Sequence, residues 1–128
     1  YNHITMRLKK GLIRAQYIRP GENLRTALRR VPKELKNGLK NSSKMHSNIY
    51  RRLSWEEVAP TIVNPAKALF LHPSQNRLIS VREAARLQGF PDTYVFCGGI
   101  TAQYRQIANA TPPILGEIIG SVLINALQ

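Results

Sequence analysis

The stretch SVREAARLQGFPD, residues 80–92, carries a complete helix signature in thirteen positions. Ser80 is a favoured N-cap. Glu83, three residues on, completes a capping box, in which each side chain satisfies the other residue's free backbone amide. Val81, Ala84, Ala85 and then Leu87 or Gln88 recur at i, i+3, i+4 spacing and form a narrow apolar face. Gly89 can take the left-handed conformation that ends a helix, and Pro91 blocks continuation. The spacing predicts a helix over 81–88. Arg82 and Glu83 are expected to hold it in place, and Arg86 to stand exposed.

Working outward toward the C-terminus, PPILGEIIGSVLINALQ (112–128) opens on two prolines, which suit a first helical turn. Ile114, Leu115, Ile118, Ile119, Val122, Leu123 and Ala126 follow at helical spacing, interrupted by Glu117, Ser121 and Asn125. Such a helix, over about 113–127, is apolar around much of its circumference. It is either an ordinary core helix or one whose partner lies elsewhere, in another part of the protein or another subunit. Gly116 and Gly120 would allow close backbone approach, at a spacing too common to mean more.

Toward the N-terminus the signals are shorter. A strand at Ala15-Gln16-Tyr17-Ile18 and a turn at Pro20-Gly21 are expected. ENLRTALRRV suits one or two helical turns stopped by Pro32, and Lys33 to Leu39 another. Residues 37–48, rich in Asn, Ser, Gly and Lys, read as a loop. IYRRL (49–53), Pro60-Thr61-Ile62-Val63, closed by Asn64-Pro65, and LFLHP (69–73) read as short strands. There is no internal repeat.

The chain has 128 residues, enough for one domain with a modest core. It starts at Tyr1 rather than Met, which suggests a fragment. Its net charge of +12 is unevenly placed: residues 1–55 hold 14 Lys or Arg against Glu22 and Glu34, whereas residues 56–128 balance to zero. A field of that sign attracts polyanions, nucleic acid first among them. A membrane-surface helix would need a long apolar stripe beside the basic residues, and 1–55 has none. No uninterrupted apolar run reaches bilayer length and no secretory signal is seen, so an intracellular, cytoplasmic setting is expected.

Self-contained catalytic chemistry is not legible. Cys97 is the sole cysteine, which excludes an internal disulfide. Its neighbours, Phe96 and Gly98-Gly99, offer nothing to activate a thiol, so a half-buried turn position is expected. Gly98-Gly99 lacks any phosphate-loop pattern. His3, His46 and His72 are too scattered for a helical metal motif. Glu56-Glu57 are adjacent and point to different faces of any regular element, as in a solvated turn.

RLISVREAARLQGFPDTYVF (77–96) followed by QYRQIANATPP (103–113) resembles the ninth and tenth conserved motifs of DNA cytosine-5 methyltransferases. YRRLSWEEVAPTIV (50–63) resembles the segment at the end of that family's target-recognition domain. YIRPGENLR (17–25) is similar to a stretch near that domain's start. The resemblance covers roughly residues 15–127. The family's Gly-rich cofactor motif, Pro-Cys nucleophile and Glu-Asn-Val acid do not occur in this sequence, and Cys97 does not match the Pro-Cys motif.

The resemblance implies an α+β fold: a small basic target-recognition domain of short strands and helices over 1–79, then 80–128 carrying the motif-nine helix and the motif-ten helix. That last helix would pack on a Rossmann-like catalytic domain absent from this chain. In the family a cytosine is flipped from duplex DNA and methylated from S-adenosylmethionine. This chain would bind double-stranded DNA and be inactive alone, depending on a catalytic domain or subunit. No catalytic residue is assigned to it. The DNA contacts expected are Thr61 with Ile62, the Arg51–Arg52 pair (or merely exposed arginines), the loop residues Lys40, Asn41 and Lys44, and Arg86. Asn109, Ala110 and Thr111 match positions beside the cofactor's methionine end. Ala108 and Thr111 replace the family's usual Gly and Val, which matters if the glycine is needed for a positive φ. A non-catalytic DNA-binding remnant and an RNA cytosine methyltransferase relative are the alternatives. The apolar last helix is expected to drive dimerisation or swapping of the isolated chain.

Overall fold

A computed structural model describes residues 1–6, 11–36, 49–62 and 69–128. The elements in order are α1 (Gly11–Ala15), α2 (Leu24–Ala27), a 3-10 turn (Lys33–Lys36), β1 (Ile49–Arg52), β2 (Leu69–Leu71), α3 (Val81–Leu87), α4 (Ile100–Asn109) and α5 (Pro113–Ala126). Helices and a small sheet thus form the mixed α and β fold expected. The strands β1 and β2 pair in parallel, with Arg51 opposite Phe70 and Arg52 opposite Leu71. The register slips between Ile49 and Arg51, where Tyr50 takes a left-handed φ of 52°. An extra residue there bends the strand and sharpens its twist.

Alternation along β2 divides the interior. Phe70 faces one cluster, with Leu53, Ile62, Ile79 and residues of α3 and α4. Leu71 faces the other, with Ala15, Ile18, Leu24, Ala27, Val31 and Leu78. The first cluster joins residues on both sides of the expected 79/80 division.

The capping box forms as expected: Ser80 accepts from the Glu83 amide, and Glu83 from the Ser80 amide at 2.6 Å. At the far end, the Gly89 amide bonds to Arg86 O and the Phe90 amide to Ala85 O, the two bonds of a Schellman stop, with Gly89 at φ 83°. Pro20-Gly21 also turns as expected, with Gly21 at φ 80°. The turns at 24–27 and 33–36 follow the expected pattern.

Three expectations are corrected. Ala15 to Ile18 is the end of a helix and its exit turn, because Ala15 and Ile18, three apart, are the buried pair. Residues 60–62 form no strand ladder; Ile62 anchors that segment by burial instead. Cys97 is exposed rather than half-buried. The expected loop at 37–48, with Lys40, Asn41 and Lys44, and the Asn64-Pro65 closure lie outside the described residues.

Helix α4 was not anticipated. Its N-cap, Gly99, has no side-chain bond and its first turn no acid. Ile100, Tyr104 and Ile107 supply its apolar stripe, and Gln103, Tyr104 and Ile107 are buried against α3. No residue of α5 is buried. Of its two readings, the ordinary core helix finds no support among the described residues. Residues Ile100–Ala126 are long enough for a membrane span and contain an 18-residue stretch of mean hydropathy 1.4. The backbone breaks at Ala110–Pro112, however, and α5 alone, 14 residues, is about 21 Å long against a core of about 30 Å.

Candidate nucleic-acid interface and adjoining cleft

The adjacent arginines of β1 point apart, as strand neighbours must. Arg52 turns inward and is 4% exposed. Its guanidinium donates to Ile18 O (2.6 Å), Ala15 O (2.7 Å), His72 O (2.7 Å), Gln75 O (2.8 Å) and Asn76 Oδ1 (2.6 Å). All five donors are used, so the expected DNA contact at Arg52 is corrected to an interior tie. Burial lowers its pKa, and no described carboxylate pairs with it. Arg51 turns outward and meets Glu57 at 3.2 Å, in a turn whose Glu56 and Glu57 are both exposed as expected.

Arg51 edges an open groove of about 420 Å³ whose walls include Trp55, Pro60, His72, Arg86 and Leu87. Trp55, the only tryptophan, is 75% exposed and lies edge-on to the His72 ring at 5.9 Å. The sequence signal for it is a lone tryptophan set in Ser54-Trp55-Glu56-Glu57, between polar neighbours. Arg86 is exposed, as expected, and forms a two-bond pair with Asp92 at 2.7 and 2.8 Å. That pairing holds the Asp92 carboxyl below its usual range. Glu83 stands in the groove wall, held by both terminal nitrogens of Arg77 at 2.7 Å and by the Ser80 amide. The bond to Arg77, outweighing burial, brings its pKa down to about 2.

The second candidate region is an open cleft of about 490 Å³ next to the groove, sharing Ala59, Pro60 and Leu87 with it. Thr61, Ile62, Gln88, Ala110 and Thr111 line it. Thr61 is exposed, whereas Ile62, expected beside it as a DNA contact, buries its side chain in the core at 8% exposure; that expectation is corrected to an anchor for Thr61. Gln88 Nε2 donates to Ala110 O at 2.7 Å and so ties the end of α3 to the end of α4. Asn109 is exposed at the end of α4, adjoining the cleft. The structure therefore brings Thr61, Ala110 and Thr111 to one opening, although 49 to 50 positions separate them in sequence. Ala108 lies within α4 with no positive φ and packs on the core, so the backbone there makes no demand for glycine.

The motif-ten glutamines have structural tasks. Gln103 donates to Gly98 O at 2.8 Å and accepts from Asn2 at 2.9 Å, while Gln106 donates to Cys97 O at 2.9 Å. Arg82, 1% exposed, bonds to the carbonyls of Tyr1, Pro91 and Tyr94, which bears out its holding role. Among the described residues there is no cluster of metal-ligand side chains.

The C-5 cytosine-specific DNA methylase family model matches residues 2–125. The chain belongs to that family. It is 43% identical over 98 residues to DNA (cytosine-5)-methyltransferase 1B of Oryza sativa subsp. japonica, a match covering 70% of this chain and 6% of the rice protein. It is 46% identical over 85 residues to the type II methyltransferase M.AgeI of Thalassovita gelatinovora, covering 64% of this chain and 20% of that one. A crystal structure from E. coli, of a candidate DNA modification methyltransferase encoded within a prophage, superposes with a TM-score of 0.65 at 30% identity, over 95% of this chain and 28% of that chain. The chain thus spans a small part of the length of the relatives it matches.

Proposed function

We propose that this chain is the target-recognition and C-terminal portion of a DNA cytosine-5 methyltransferase of the restriction-modification type, and that methyl transfer requires a catalytic part carrying the Pro-Cys and Glu-Asn-Val motifs missing from this sequence. One observation carries the reading: Thr61, expected on the DNA side, and Ala110–Thr111, expected on the cofactor side, share a cleft.

In this reading the groove beside Arg51 and Trp55 faces the duplex. Arg51 supplies a cation for a phosphate or a guanine edge, and Trp55 an apolar platform. Thr61, fixed by Ile62 beneath it, contacts the backbone near the extruded cytosine. The polar end of S-adenosylmethionine fits the residues present: the side chains of Asn109 and Thr111 make no hydrogen bond to the rest of the described chain, and Ala110 leaves room between them. Bound there, the cofactor supplies the methyl group, while Gln88 holds the Ala110 carbonyl in place. The exposed face of α5 packs on the catalytic part.

Incubating the chain with duplex DNA and labelled S-adenosylmethionine is expected to give no transfer. Adding the large part of the same enzyme restores it, with tRNA a poor competitor. Transfer by this chain alone overturns the proposal, and so does preferential methylation of tRNA.

A further inference from the structure

His72 follows β2, and its Nδ1 accepts the backbone N–H groups of Ser74 and Gln75, both at 3.2 Å. An imidazole nitrogen that accepts carries no proton, so this turn requires the neutral Nε2–H tautomer. The same turn presents His72 O, Gln75 O and Asn76 Oδ1 to Arg52. Three of Arg52's five bonds therefore hang on a turn whose base is closed by the His72 amide on Arg77 O and whose interior amides are held by the imidazole. Arg52 adjoins Arg51 on β1, and the His72 ring itself backs Trp55.

We infer that neutral His72 is a positioning residue: it folds the 72–76 turn, the turn seats Arg52, and Arg52 with the His72 ring fixes the Arg51–Trp55 edge of the groove, so that protonating His72 releases that edge. The consequence for DNA binding rests on the groove's being DNA-facing; the switch itself does not.

The charges around the ring are unequal. Arg77 and Arg52 oppose its protonation, Glu83 favours it with Oε1 at 3.9 Å from Nε2, and Arg51, Glu57 and Arg86 line the same groove. Burial first, then Arg77, lowers its pKa below the ordinary histidine value despite Glu83. A proton on Nδ1 would also face two N–H donors. Since the folded pKa is the lower one, His72's contribution to stability is complete above about 6.5 and is lost as pH falls through the folded value.

His72→Asn separates the role from the titration. An asparagine oxygen accepts from amides two and three residues on and carries no proton in this range. Trp55 emission reports the site directly, since it is the only tryptophan. Between about pH 8 and about pH 5, the wild-type chain is expected to show a Trp55 transition and a fall in Tm of about 4 °C. His3→Gln should match it, and His72→Asn should stay flat. Duplex binding at fixed salt should weaken with acid in wild type and hold constant in His72→Asn. A transition that persists in His72→Asn, or none in wild type, overturns the inference. The Trp55 transition without DNA binding at any pH supports it while removing the DNA-facing reading of the groove. Should His72→Asn fail to fold, the protection factors of the Ser74 and Gln75 amides in wild type decide: loss on acidification supports the role, and unchanged protection overturns it.

Discussion

Arg51 and Arg52 show how one position in sequence separates a surface role from an interior one. Nothing in their identity distinguishes them. Strand alternation allows only one of two neighbours to face solvent, and which one depends on where the carbonyls of Ala15, Ile18, His72 and Gln75 converge, a tertiary fact. Replacing Arg52 with Met leaves the Ile18, His72 and Gln75 carbonyls and the Asn76 amide oxygen without the guanidinium donor, while Ala15 O keeps the Ile18 amide. It should lower the unfolding free energy by about 4 kcal/mol in urea titrations. Arg51→Ala, which removes one solvent-exposed ion pair, should change it by less than about 0.5 kcal/mol while weakening duplex binding and reducing its salt slope by about 1. Glu83 sets the acid limit. Its pKa is depressed to about 2, so its contribution is present above the ordinary value of 4.5 and lost as pH falls through about 2. Glu83→Gln should flatten that acid-side decline in stability.

Among the elements, α3 was legible because every signal that defines it is local: cap, stripe and stop lie within a dozen residues and agree. Ser80→Ala should therefore cost about 1 kcal/mol. Gly89→Ala should cost about 1 kcal/mol by conformation alone, since a Cβ there meets nothing within 4 Å. Both can be read from thermal melts. Helix α4 escaped because it has neither a side-chain cap nor an acidic first turn, and its buried face includes Gln103, a residue that reads as polar surface. Only the i, i+4, i+7 spacing of Ile100, Tyr104 and Ile107 marked it. The parallel pairing of β1 with β2 had no sequence signal at all, since register between strands this short is fixed by what packs around them.

At the scale of the molecule, the candidate cleft was legible only as separate motifs. Sequence supplied Thr61 and Ala110–Thr111 through family resemblance; their meeting depends on α3 lying against α4 and on the Gln88 bond. Helix α5 is exposed along its length. Ile114, Ile118, Val122 and Leu127 are between 57% and 88% exposed, an apolar surface too continuous to remain solvated at high concentration. Light scattering of the isolated chain should show concentration-dependent association. An Ile118→Asp, Val122→Asp double variant should abolish it without lowering the chain's own Tm. That variant should also fail to restore methyl transfer when mixed with the catalytic part.

Asn2 bonds to residues far along the chain. Asn2, left-handed at φ 62°, donates to Phe96 O and Gln103 Oε1, and its own carbonyl accepts from the Arg82 amide, contacts that reach up to 101 positions along the chain. Loops of that length close slowly. On the ribosome Asn2 must wait, unpaired, until α4 has emerged, so this core closes only once the chain has been translated through α4.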